Sequence, residues 1–166
     1  MAPLMSNSSA GRMSGTMLRA SVGSAAILLK DVSEKIKMRH ASGDDGLELC
    51  QLRTQAVDQS VRAMWAAILE ELSESDRNEM NRRVTVVAHG GYARGEMTPG
   101  SDVDLMLLPD ITAISDGSSL AAETTGPGDV FGDVARRLLQ DLFDAGLEVG
   151  QSVRTIGEAV QLASSD

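Results

Sequence analysis

The segment 84–108 constrains this chain more than any other part of it. An apolar, β-branched stretch ends in Gly90 and Gly91, a polar connection follows, and Asp102 and Asp104 then alternate with apolar residues. Alternation with a period of two is typical of a β-strand, in which successive side chains point to opposite faces. The sequence therefore predicts two strands joined through a Gly-Gly turn, with both carboxylates on one face of the second strand.

Asp102 and Asp104 form a candidate metal site. Two carboxylates on one face repel each other, so a divalent cation between them is their natural partner. Oxygen ligands of this kind suit Mg²⁺ or Mn²⁺. A lone Asp-x-Asp pattern is more often a solvated strand edge or loop. Here it follows a Gly-Gly turn and has an apolar strand on each side, which favours the metal site.

Gly90 and Gly91 form a candidate phosphate-binding turn. Because they lack Cβ atoms, the backbone can turn sharply and bring its N–H groups close to phosphate oxygens. Arg94 is a candidate for a direct phosphate contact, and Ser101 is a candidate either for a phosphate contact or for ordering the loop. A lone Gly-Gly is usually an ordinary turn. Together with a metal site, it indicates binding of a nucleoside triphosphate and nucleotidyl transfer.

Composition limits the size of the fold and the classes of partner. With 166 residues, the chain is long enough for one domain with a sizeable core. Its formal net charge of -9 repels polyanions, so we expect no general nucleic-acid binding. The single cysteine excludes an internal disulfide, and no apolar stretch is long enough to cross a membrane. We therefore expect a cytoplasmic protein with no membrane partner.

Hydrophobic periodicity places the remaining elements. Polar residues 73–83 are predicted to end one helix and lead into the first strand. The apolar positions of a later helix are predicted to be Val134, Leu138, Leu139 and Phe143, and Gly146 is predicted to end it. The predicted helices are residues 17–39, 47–72, 130–145 and 156–163, and the predicted strands are 84–88, 102–108 and 147–154.

These elements predict an α/β (α+β) fold with a small mixed sheet flanked by helices. Residues 1–16 are predicted to be a disordered or frayed tail, 17–80 an N-terminal helical region, and 81–166 the core of the domain. Residues 109–129 have little periodicity and many turn-forming residues, so they are predicted to be a flexible surface insertion within that core.

The motifs resemble those of a known family. Gly90-Gly-Tyr-Ala-Arg-Gly-Glu and Ser101-Asp-Val-Asp-Leu are similar to the motif of the nucleotidyltransferase superfamily that shares the DNA polymerase beta palm. The closer resemblance is to bacterial PII uridylyltransferases. These read Gly-Gly-Tyr-Gly-Arg-Gly-Glu-Leu, then Ser-Asp-Ile-Asp-Leu, and later Leu-Glu-Val-Gly-His-Ser-Val-Arg-Thr. This chain has Leu147-Glu-Val-Gly-Gln-Ser-Val-Arg-Thr in the corresponding place.

The resemblance implies a polymerase beta palm-like fold and assigns roles to the motif residues. Asp102 and Asp104 correspond to the metal ligands, and Gly90 and Gly91 to the turn that holds the triphosphate. The superfamily also uses a third carboxylate on a neighbouring strand, as base or metal ligand for the nucleophile. Glu148 is the candidate for it, and the alternative for Glu148 is an exposed strand residue without a catalytic role.

This sequence departs from the family pattern in three ways. Ala93 stands where Gly is usual, and Gln151 where His is usual. Full-length members continue into a helical region, an HD-type hydrolase domain and ACT domains, so the chain is expected to be truncated at its C-terminus relative to the family. Uridylyl removal and glutamine sensing are therefore not expected.

Arg154, within the second motif, is a candidate for a phosphate or a structural contact.

The leading functional hypothesis is transfer of UMP from UTP to a tyrosine of a PII-type nitrogen regulatory protein, with Mg²⁺ or Mn²⁺ as cofactor. One alternative keeps the fold and uses another nucleoside triphosphate or another acceptor, such as an antibiotic or a different protein. A further alternative is a truncated, catalytically weak module that acts by binding nucleotide or protein.

Overall fold

The computed structural model describes residues 19–110, 130–154 and 156–164. The predicted tail at residues 1–16 lies outside them, as does the predicted insertion from residue 111 onward. The elements are α1 (Ala20–Ala41), α2 (Gly46–Glu70), α3 (Glu74–Arg83), β1 (Val84–Ala88), α4 (Gly90–Ala93), β2 (Val103–Pro109), α5 (Val130–Asp144), β3 (Val149–Val153) and α6 (Ile156–Ala163).

The three strands form one mixed sheet in the order β1-β2-β3. β1 and β2 are antiparallel, with Val86 opposite Leu107 and Ala88 opposite Leu105. β2 and β3 are parallel, and Leu105 is the register partner of Gln151. The predicted α/β fold with a small mixed sheet flanked by helices is confirmed, and the Asp-bearing strand is the central one of the described strands.

The two faces of β2 have different surroundings. Val103, Leu105 and Leu107 are buried, whereas the alternating residues Asp104 and Met106 are only half-buried. The buried set packs into one hydrophobic core with residues of α1, α2 and α5. The helices therefore cover one face of the sheet, and the predicted alternation sets the carboxylate on the opposite face.

The buried residues of α2 recur at helical spacing. Val57, Met64 and Ile68 have no measurable exposure. Asp45 caps this helix, since its carboxylate accepts hydrogen bonds from the N–H groups of Leu47 and Glu48. No helix within the described ranges is both long and apolar enough to span a membrane.

Two details of the predicted helices are wrong. Residues 74–83 form α3 because Ser73 accepts a hydrogen bond from the Asp76 N–H as an N-cap, although Met80 is the only buried residue of this polar helix. In α5 it is Leu142 that is fully buried, while Phe143 is 53% exposed. The predicted end of α5 is confirmed, because Gly146 adopts a φ of +85° and its N–H bonds the Phe143 carbonyl.

An ion-pair network joins three helices at one end of the core. Arg19, which precedes α1, donates to both carboxylate oxygens of Asp141 on α5 at 2.6 and 2.7 Å. Its Nε donates to Glu71, which follows α2, at 2.9 Å. Glu71 also accepts from Arg137 of α5. The network thus links α1, α2 and α5 through two guanidinium groups and two carboxylates.

Glu71→Gln is expected to lower the melting temperature at neutral pH, and this loss is expected to become smaller as the pH falls below 4.5. The hydrogen bond from Arg137 holds the pKa of Glu71 below its ordinary value of 4.5. A lowered pKa contributes stability that is present above the ordinary value and is lost as the pH falls through the folded-state value. Because Glu71 is largely solvated, the contribution is expected to be below about 1 kcal/mol.

Thermal melts of both proteins across this pH range test the expectation. A penalty for Glu71→Gln that is as large at about pH 3 as at neutral pH would show that the charge of Glu71 is not its source.

Candidate functional site

The turn after β1 requires glycine at its first position. His89 is still extended, and the N–H of His89 bonds the Asp104 carbonyl at 3.1 Å, which continues the pairing of β1 with β2. Gly90 then takes a φ of +57°, in the left-handed region that other residues rarely adopt. The chain turns into α4 at this point, so the predicted Gly-Gly turn lies directly beside the Asp-bearing strand.

The carboxylate of Asp104 lies against the backbone of this turn. A Cβ atom built on Gly90 would be 2.5 Å from Asp104 Oδ2. On the other side, a Cβ built on Gly150 of β3 would be 2.8 Å from Asp104 Oδ1. Both distances are far shorter than an ordinary van der Waals contact. The structure therefore brings the first predicted glycine and the second predicted aspartate together, with Gly150 as their neighbour.

Gly91 has different surroundings from Gly90. A Cβ on Gly91 would meet the Glu96 carbonyl oxygen at 3.7 Å, an ordinary contact. Nothing nearby in the described chain requires glycine at this position. Because Gly91 has no side chain, its backbone is open to close approach by a ligand.

Asp102 and Glu148 lie at the same end of two neighbouring strands. Asp102 is exposed and immediately precedes β2, and Glu148 is exposed and immediately precedes β3. The Val103 N–H bonds the Glu148 carbonyl at 2.8 Å, and Val103 is the register partner of Val149. One step back in this register, Asp102 is opposite Glu148, and both fall on the face of Asp104.

These positions refine two predictions. The second and third strands begin one and two residues later than predicted, so Asp102 and Glu148 sit just before their strands. Within the described ranges, no group of three or more His, Cys, Asp or Glu side chains is arranged to hold a metal ion. Among the described residues, Asp102 and Asp104 are therefore the ligands that a metal here would have.

Ser101 and Arg94 border the loop between the turn and β2. Ser101 Oγ accepts from the Thr98 N–H at 3.1 Å, and the Ser101 N–H bonds the Thr98 carbonyl at 3.0 Å. Ser101 thus orders the loop, which is one of its two predicted roles. Arg94 is exposed and pairs with Glu96 at 2.7 Å. Its guanidinium would exchange this partner to reach a phosphate.

Helix α2 is hydrogen-bonded to the segment between β1 and β2, a role that the sequence pattern did not indicate. Tyr92 is buried, and its hydroxyl donates to Asp58 at 3.4 Å. The Met97 N–H donates to Thr54 Oγ1, also at 3.4 Å. Thr54 and Asp58 lie one helical turn apart, beside the buried residues of α2. A polar pair at such positions is the sequence signal that could have indicated these hydrogen bonds.

Tyr92→Phe is expected to lower the free energy of unfolding by about 1 kcal/mol, because one hydrogen bond is lost while the ring still fills the core. Burial, followed by the charge of Asp58, raises the pKa of Tyr92 above its ordinary value of 10.0, so its hydroxyl remains a donor at neutral pH. Urea unfolding of both proteins measures the difference. An unchanged midpoint would mean that the Tyr92 hydroxyl contributes nothing to holding the loop.

His89 and Arg154 each have a buried side-chain nitrogen without a hydrogen-bond partner among the described residues. His89 Nε2 and Arg154 Nε form no hydrogen bond within the described residues. The Arg154 N–H bonds the Leu107 carbonyl at 3.2 Å, so its backbone extends the pairing of β3 with β2. His89, for which the sequence pattern predicts no role, is the cross-strand neighbour of Asp104.

Part of the chain matches a known protein family. Residues 67–113 match the family model described as "Nucleotidyltransferase domain". The matched range contains β1, the Gly-Gly turn and β2, which are the elements that bring Gly90 and Asp104 together.

Relatives of known name cover more of the chain. A bifunctional uridylyltransferase/uridylyl-removing enzyme of Aromatoleum aromaticum is 32% identical over 90% of this chain and 14% of its own length. One from Pseudomonas fluorescens is 33% identical over 83% of the chain and 13% of its length. One from a Bradyrhizobium species is 36% identical over 66% of the chain and 10% of its length.

The chain thus spans about a seventh of the length of the curated relatives it matches, since the first of them is covered to 14%. No solved structure matches it. The resemblance seen in the motifs is confirmed: residues 67–113 match a nucleotidyltransferase domain, and the chain is similar, over most of its length, to the bifunctional uridylyltransferase/uridylyl-removing enzymes.

Proposed function

We propose that this chain catalyses metal-dependent nucleotidyl transfer, with UTP as donor and a tyrosine of a PII-type regulatory protein as acceptor, in the cytoplasm. The observation that carries the proposal is the contact between the Gly-Gly turn and the Asp104 carboxylate, where a Cβ on Gly90 would be 2.5 Å from Asp104 Oδ2. A phosphate-binding turn and a carboxylate at this spacing can act on the same triphosphate. The names of the relatives support the choice of UTP.

The residues fit Mg²⁺ or Mn²⁺. Mg²⁺ usually keeps several waters and is held by one or two protein carboxylates together with substrate phosphates. Asp102 and Asp104 provide two carboxylates on one face, so a third protein ligand is not required. When bound, the metal would offset negative charge on the triphosphate and on the leaving pyrophosphate.

The chain's own residues then have separate tasks. The backbone at Gly91 is open to the phosphates, and Arg94 is within the same loop to bind their negative charge. Glu148 is the candidate base and accepts the proton of the acceptor's tyrosine hydroxyl. The tyrosine oxygen bonds the α-phosphorus of UTP, the bond from that phosphorus to the bridging oxygen breaks, and pyrophosphate leaves.

The direct test is incubation of the purified chain with UTP, Mg²⁺ and a PII-type protein. We expect a uridylylated tyrosine on the acceptor and no product with Asp102→Asn. Equal labelling by the wild type and the variant would remove Asp102 from the catalytic assignment.

Replacing UTP by ATP, and the PII-type protein by other acceptors, tests the alternatives. Preference for ATP without labelling of the PII-type protein favours a nucleotidyltransferase with a different acceptor. Calorimetric binding of UTP with Mg²⁺ but no turnover favours a binding module.

A further inference from the structure

Gly150 lies beside the carboxylate on which the proposed reaction depends. In the parallel pairing of β2 with β3, Gly150 is the register partner of Asp104. Register partners in a sheet direct their side chains to the same face, so any side chain at position 150 would point toward Asp104. Glycine leaves this space to the Asp104 carboxylate.

Position 150 has no room for a side chain beside the Asp104 carboxylate. A Cβ on Gly150 would lie 2.8 Å from Asp104 Oδ1, and its other near contact, at 3.9 Å, is with Asp104 Cγ. Both contacts are with the same carboxylate. The backbone itself does not require glycine here, since the φ of Gly150 is not among the positive values, in contrast to that of Gly90. The reason for glycine at position 150 is therefore local to Asp104.

The two glycines lie against different oxygens of the Asp104 carboxylate. Gly90 faces Oδ2 and Gly150 faces Oδ1. The carboxylate thus fits between the backbone of the turn and the backbone of β3. Even one methyl group on either side would force it to rotate or withdraw.

We propose that Gly150 is a positioning residue for the metal-binding carboxylate of Asp104. The proposal rests on the proposed function, because it concerns the same metal site. It gives a reason for the glycine at position 150, for which no other contact among the described residues provides one.

The test compares Gly150→Ala with wild type, Asp104→Ala and Gly23→Ala. Gly23 lies within α1, where a Cβ would meet nothing within 4 Å, so it is a matched glycine control. Mn²⁺ affinity in the presence of UTP is measured by calorimetry, and folding by thermal melts. We expect Gly150→Ala to melt close to the wild-type temperature and to bind Mn²⁺ about 10–100-fold more weakly, the usual effect of disturbing the surroundings of a metal ligand.

Metal rescue separates positioning from general damage. A displaced carboxylate still binds metal, so high Mn²⁺ should restore part of the turnover of Gly150→Ala but none of that of Asp104→Ala. Wild-type Mn²⁺ affinity in Gly150→Ala overturns the inference and leaves the proposed function intact. Wild-type affinity in Asp104→Ala overturns the proposed metal site, and the inference falls with it.

A double variant covers poor folding of Gly150→Ala. If the methyl group acts only through Asp104, then Gly150→Ala combined with Asp104→Ala should melt at the temperature of Asp104→Ala alone. A double variant that melts as poorly as Gly150→Ala would show that position 150 matters for another reason, and would overturn the inference.

Discussion

Asp104→Asn is expected to lower the rate of nucleotidyl transfer by about 10³-fold, while the protein stays folded. The amide has the shape of the carboxylate and fits the same space between Gly90 and Gly150, but it removes the negative charge that would hold the proposed metal. A bound metal stabilises the transition state by several kcal/mol, and each 1.36 kcal/mol is about tenfold in rate. Initial rates of UMP transfer at saturating UTP and Mg²⁺ measure the loss.

The matched control for this variant is Asp133→Asn. Asp133 is an exposed aspartate of α5 that pairs with Arg136 on the same helix, far in sequence from the turn and the sheet. Its variant should transfer UMP at the wild-type rate. A loss below about tenfold in Asp104→Asn would mean that this carboxylate does not hold the reacting metal.

The second large effect is on stability. Asp141→Asn is expected to lower the free energy of unfolding by about 3 kcal/mol, because the buried side chain loses the charge on which both hydrogen bonds from Arg19 depend, although Arg19 keeps Glu71 as a partner. The Asp141 side chain is only 6% exposed, and Arg19 contacts both of its oxygens. Arg19 is 29% exposed and keeps some hydration, so the lower end of the usual range applies.

Thermal and urea unfolding measure this loss. For a chain of this size, about 3 kcal/mol corresponds to a fall of roughly 6–12 °C in melting temperature. Asp133→Asn again serves as the control, since an exposed pair one helical turn apart contributes less than about 0.5 kcal/mol. Similar melting temperatures for the two variants would show that the network around Arg19 does not stabilise the fold.

The fold was predictable where local pattern and tertiary packing agree. The bounds of β1 and α6 are those predicted, because β-branched residues before Gly-Gly and a helical stretch after residue 155 leave little alternative. α3 was missed because Met80 alone gives no hydrophobic period, and its Ser73 cap is a short-range polar contact. Phe143 was assigned to the core because its spacing fits nearly as well as that of Leu142, and only the packed helix distinguishes them.

The candidate site was predictable to the extent that it is local in sequence. Alternation alone put Asp102 and Asp104 on one face, and Gly-Gly marked the turn. Gly150 could not be assigned a task, because its relation to Asp104 exists only in the register of β2 with β3. The hydrogen bond of Tyr92 to Asp58 joins residues 34 positions apart, and no short-range pattern reports such a contact.

The central place of β2 ties the survival of the site to that of the whole domain. β2 is hydrogen-bonded to a neighbour on each side, whereas strand ends and surface loops are the parts that open at low free energy. Asp104 sits within this doubly paired strand, and its neighbours Val103 and Leu105 are buried in the core. Fraying of either outer strand alone leaves the other pairing intact. The backbone of Asp104 therefore stays paired on one side when either outer strand opens alone.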